Sequence, residues 1–161
     1  MMELLTALEA SATSTFLRES TSIWAYPTVL MLHTAGLALL VGLNVAFDLR
    51  LLGVARGVPL EALATWFPVM WVGFWLNAVT GMLLFAADPV RLGTTTIFMS
   101  KLAIVLAGVV LIVLLRRTVY GRGAPAEAAT GRARLYATLS LLIWTAAIVT
   151  GRLMAYVSEI S

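Results

Sequence analysis

The chain has 161 residues, is 61% hydrophobic and only 12% charged, and has a mean hydropathy of +0.96, far outside the range of soluble globular proteins. Its net charge of +3 does not point to nucleic acid, because the basic residues sit at the ends of apolar runs instead of clustering on one polar surface. With no cysteine, disulfides, thiolate metal sites and cysteine nucleophiles are excluded.

The opening segment, MMELLTALEASATSTF, has neither a basic leader nor an uninterrupted apolar stretch, so it does not read as a signal peptide. Leu4, Leu8, Ala12 and Phe16 recur near helical spacing while Glu3, Glu9 and Thr13 fall elsewhere. This pattern predicts an amphipathic helix at about residues 3–18, lying on the membrane surface.

The first membrane span is expected at about 23–47. It is uncharged from Trp24 through Phe47, and at about 1.5 Å per residue that length crosses a hydrocarbon core of about 30 Å. Trp24 and Tyr26 suit the headgroup level, and Pro27 falls in the first turn, where a missing N–H costs little. A linker from Asp48 to Ala64 follows, in which Pro59 is read as starting a short interfacial turn. The second span is expected at about 66–87, with its aromatic residues crowded into the first half. A tight connection from Asp88 to Thr95 leads to a third span at about 96–115. The long polar stretch RRTVYGRGAPAEAATGRAR is read as a mobile loop, and the fourth span at about 135–156. The fold expected is an all-α, four-helix transmembrane bundle in up-down order with an N-terminal interfacial helix.

Seven Lys and Arg residues fall on the side of the first and third loops, and four (Arg18, Arg91, Lys101, Arg152) on the other. Basic residues favour the cytoplasmic side, so both termini are expected in the periplasm if the membrane is a bacterial inner membrane.

Polar groups inside the spans carry the functional clues, since each costs free energy unless it is partnered. His33, the only histidine, lies about 15 Å into the first span. Asn44, eleven positions on, returns to nearly the same helix face, and Asp48 lies within about 60° of it. Asn77 should reach a similar depth from the other side, with Thr80 one turn further on, so an His33–Asn77 hydrogen bond would satisfy both. Arg50 falls in the linker just after the first span. Asp88, Arg91, Lys101 and Arg152 form a second charged group at the periplasmic surface, in which Asp88 would pair with Lys101 or Arg152.

Several readings stay open. In one, the chain is a non-enzymatic structural or accessory membrane protein whose partners are the bilayer and a homo-oligomer or membrane complex. In that oligomer Gly36, Gly42, Gly73, Gly81, Gly108 and Gly151 would permit close packing. In another, His33 ligates haem b or copper, with Met31, Met82, Met99 and Met154 supplying thioethers in the same half of the bilayer. An oligomeric channel is the third. The patterns of soluble catalysis are missing: no phosphate loop, no HExxH motif and no Ser-His-Asp order.

The run WAYPTVLMLHTAGLALLVGLNVAFDLRLLG, with its W-x-Y-P…H-x-x-G-L-A-L-L-x-G…D-L-R-L-L-G pattern, resembles a family of uncharacterised bacterial four-span membrane proteins. The later pieces GFWLNAVTGMLLFAADP and FMSKLAIVLAG look like that family's second and third spans. The resemblance implies a four-helix membrane bundle and marks His33, Asp48, Arg50, Asn77 and Lys101, without implying an activity. More distantly, Lys101 and the Trp/Gly-rich second span are similar to copper-resistance-D-type membrane proteins, which would imply copper handling. Toward that, this chain offers a single histidine.

Overall fold

The computed structural model describes residues 2–20, 22, 24–54, 56–121 and 131–157, and among these every regular element is helical. Two short helices come first, α1 (Met2–Glu9) and α2 (Ala12–Glu19). The single surface helix expected from the sequence is thus broken at Ala10–Ser11. There the Ser11 side chain accepts the Ser14 N–H as an N-cap, which starts a second helix in place of continuing the first.

Four helices are long and apolar enough to cross a membrane, and the chain is a multi-pass membrane protein. They are α3 (Tyr26–Leu52), α5 (Phe67–Ala87), α7 (Thr96–Tyr120) and α8 (Gly131–Val157). A one-turn helix, α4 (Leu60–Ala64), precedes α5, and α6 (Pro89–Thr94) fills most of the connection to α7.

α3 runs past the boundary read from the sequence, so Asp48 and Arg50 belong to the helix and not to the linker. It stops at Gly53, whose φ of 94° is the left-handed conformation that glycine adopts most cheaply at a helix end. α7 and α8 likewise extend into the polar stretch between them. The rest of that stretch, read as a mobile loop, lies outside the described residues.

α3 packs against α5 on one side and α8 on the other, and α8 packs against α7. α5 and α7 face each other at a wider spacing that aromatic side chains fill. Phe85 stacks on Phe98 at 5.1 Å near one end of this seam, and Phe67 meets Tyr120 edge-on at 5.8 Å near the other. Between them Trp71 and Phe74 line a shallow apolar recess with Leu40, Met70, Val109 and Ile112.

The N-terminal end of the bundle gathers α1, α2, α6, the start of α7 and the end of α8. Ser14 donates to the Ala87 carbonyl at 3.5 Å, which ties α2 to the end of α5. The opposite end is held by Phe47, Phe67 and Tyr120, with the Arg116 guanidinium 5.5 Å from the Phe67 ring centre. Here Tyr120 donates its hydroxyl to the Leu60 carbonyl at 2.6 Å, joining α7 to α4. Tyr120→Phe keeps the ring packing and removes that one bond, so it should cost about 1 kcal/mol. Thermal unfolding in detergent beside wild type checks this, and an unchanged midpoint would show that the bond contributes nothing.

Exposed hydroxyls inside the spans are satisfied locally. Thr34, Ser100, Thr138, Thr145 and Thr150 each donate to the carbonyl four residues back, which lets them face lipid without an open donor.

Candidate functional site

Two polar nodes lie inside the bundle, and glycine contacts set up the first. A Cβ on Gly36 would fall 2.7 Å from the Asn77 nitrogen and 2.9 Å from the Gly73 carbonyl oxygen. One on Gly73 would fall 2.8 Å from the Leu40 nitrogen. Only paired glycines let the α3 and α5 backbones come this close.

At that spacing His33 and Asn77 bond reciprocally. The Asn77 side-chain amide donates to the His33 backbone carbonyl at 2.8 Å. The His33 Nδ1 lies 3.0 Å from the Asn77 backbone carbonyl and 3.1 Å from the Thr80 hydroxyl oxygen. A carbonyl can only accept, and the Thr80 hydroxyl is within 2.6 Å of the Leu76 carbonyl, to which it donates. Nδ1 therefore carries the ring hydrogen, and in the neutral ring Nε2 keeps the lone pair. The Asn77 amide is 3.4 Å from Nε2, a long contact beside its 2.8 Å bond. Gly81 leaves room for the ring, since a Cβ there would fall 3.1 Å from Cε1.

The second node joins α3 to α8. The Asn44 amide donates to Asp48 Oδ2 at 2.8 Å and to the Ser140 hydroxyl oxygen at 2.7 Å. Asn44, Asp48 and Ser140 are at most 1% exposed. Two buried atoms here have no hydrogen-bond partner among the described residues, Asp48 Oδ1 and the indole nitrogen of Trp144. Trp144 is one turn beyond Ser140, fully buried, and lies against Gly108, where a Cβ would come within 2.8 Å of its ring.

The stripe His33–Asn44–Asp48 thus divides between two neighbours. His33 meets α5 and, eleven residues along, Asn44 meets α8, although helical spacing puts the two on nearly the same face of α3. Ser140 was not singled out in the sequence. The available signal was a hydroxyl inside the apolar run LSLLIW, but exposed Thr138 and Thr145 give the same signal and only bond their own helix.

The remaining candidate residues lie apart from these nodes. Met31, Met82 and Met99 are 62%, 63% and 51% exposed on the outer surface of the bundle, while the His33 ring turns toward α5. Among the described residues no group of three or more His, Asp or Glu side chains could hold a metal ion. Arg50 donates to the Val58 carbonyl, which ties the end of α3 to the following loop. Asp88 pairs with Arg91, three residues along, and not with Lys101 or Arg152 as expected. Arg91 is closer in chain and shares the short turn of α6, so it reaches the carboxylate first. Of the glycines, Gly42 meets nothing within 4 Å, and Gly151 lies against the Lys101 side chain.

The chain belongs to a family of unknown function, DUF6644, whose profile matches residues 13–157. No curated protein and no solved structure matches it.

Proposed function

We propose that this chain is a non-enzymatic multi-pass protein of a bacterial inner membrane, acting as a structural or binding accessory subunit with both termini in the periplasm. The observation that carries the reading is how the intramembrane polar groups are used. His33, Asn77 and Thr80 bond one another across α3 and α5, and Asn44, Asp48 and Ser140 do so across α3 and α8. Groups engaged in this way hold helices together, as polar side chains do in membranes at about 0.6–2 kcal/mol each. The excess of basic residues on the side of the first and third loops supports the orientation.

His33→Gln keeps a side-chain donor near the Asn77 carbonyl and should lower stability by no more than about 1 kcal/mol, with the protein still folded and inserted. Expression in membranes and a detergent melting curve test this. Loss of the folded protein would sink the packing role in this simple form.

The hydrogen-bond geometry favours a second reading. A histidine that donates Nδ1–H to a backbone carbonyl is held in the tautomer that leaves Nε2 its lone pair, as in metal- and haem-ligating histidines, and here Nε2 has only the long Asn77 contact. An optical spectrum with metal analysis of purified protein, beside His33→Ala, separates the two. A Soret band or stoichiometric copper lost in the variant would replace the packing reading by one of ligand binding. A colourless, metal-free protein that haem or Cu(I) cannot reconstitute would retain it.

A further inference from the structure

At the N-terminal end of the bundle Glu9 and Asp88 are already engaged, while Glu3 and Glu19 pair with neither Lys101 nor Arg152. Glu9 is bound to Arg18 at 2.7 Å, and Asp88 to Arg91. Lys101 and Arg152 have neither a carboxylate within ion-pair distance nor a hydrogen-bond partner among the described residues. Lys101 is the sixth residue of α7, about 8 Å from its start, and is half-buried. Its side chain crosses to α8, where Gly151 makes room: a Cβ there would fall 3.8 Å from Cε and 3.9 Å from Nζ. Arg152 follows Gly151 directly and is exposed, in the last two turns of α8.

Two cations at the same end of neighbouring helices, without a counter-ion among the described residues, attract an anion strongly where little water is present to screen them. Arginine offers a planar fork of donors that fits phosphate oxygens, and lysine adds a compact charge. We propose that Lys101 and Arg152 form a binding site for a phosphate group, presented at this level by the headgroup of an anionic lipid. The aliphatic stem of Lys101 lies in the groove between α7 and α8, so an acyl chain would run down the exposed apolar faces of the same two helices, past Leu102 and Leu106 or Ile148 and Val149.

The test uses the full-length protein, delipidated in detergent and titrated with phosphatidylglycerol, phosphatidylcholine and inorganic phosphate, with bound adducts counted by native mass spectrometry. Wild type should bind phosphatidylglycerol at least about tenfold more tightly than phosphatidylcholine. K101Q/R152Q should lower the affinity for phosphatidylglycerol to the phosphatidylcholine level, while K101R retains it. The exposed position of Arg152 makes R152Q alone the fallback if the double variant does not fold, with an expected loss of about threefold or more. Displacement of the lipid by millimolar inorganic phosphate would assign the site to the free anion, and resistance to displacement would assign it to the lipid. Equal binding by wild type and the glutamine variants, or no preference for phosphatidylglycerol, overturns the proposal.

Discussion

Gly36→Ala should destabilise the bundle by about 2–3 kcal/mol, although alanine is the better helix former. The added methyl group would fall 2.7 Å from one backbone atom of α5 and 2.9 Å from another. Neither atom can rotate away as a side chain would, so α3 and α5 must separate along their length. Separation also lengthens the His33 and Asn77 bonds one turn on, which depend on the same spacing. Gly42→Ala on the same helix is the control. Its Cβ meets nothing within 4 Å, so that variant should be neutral or gain up to about 1 kcal/mol from helix propensity. Denaturant titration in mixed micelles would show opposite signs for the two alanines. Equal effects would mean that the close approach of α3 and α5 does not limit stability. A further check is additivity: the losses from Gly36→Ala and Asn77→Leu should sum to more than the loss in the double variant, because both break one contact.

The same pair of glycines shows what could be read from the sequence and what could not. Four apolar runs of about twenty residues dictate four spans whatever their neighbours, because lipid leaves the backbone no alternative to the helix. The pairing of His33 with Asn77 follows from depth alone, since each lies near the middle of adjacent antiparallel spans. Which glycines make contact does not follow. Gly36 and Gly42 are both in the first span, one against α5 and the other open, and only the rotation of α3 within the bundle distinguishes them. The end of that helix was misplaced for a related reason. Asp48 and Arg50 are charged and so resemble a boundary, yet Asp48 is fully buried because Asn44 and the α8 face accommodate it, and Arg50 reaches out to a loop carbonyl. Ser140 depends on a partner 96 residues away, a relation that no local pattern encodes.

Asn44→Leu should cost the most of any single change at the second node, about 3 kcal/mol or more. Asn44 supplies the donors to both Asp48 and Ser140, and Asp48 Oδ1 already lacks a partner. Removing the amide leaves the buried carboxyl group without the hydrogen bond from its own helix, at a place that water does not reach. Leucine has the same branched shape as asparagine and is no smaller, so the variant opens no cavity and the loss does not measure one. Replacing the carboxyl as well should recover part of it. In Asn44→Leu/Asp48→Leu the buried charge-bearing group is gone, and only the Ser140 hydroxyl remains, able to bond its own helix as the lipid-facing threonines do. The double variant should therefore be more stable than Asn44→Leu alone, with a coupling of about 1–3 kcal/mol. Unfolding measured for wild type, both single variants and the double variant closes the cycle. A double variant as unstable as the sum of its parts would show that Asn44 and Asp48 act independently, and that the α3–α8 interface is held by apolar packing around Trp144 instead.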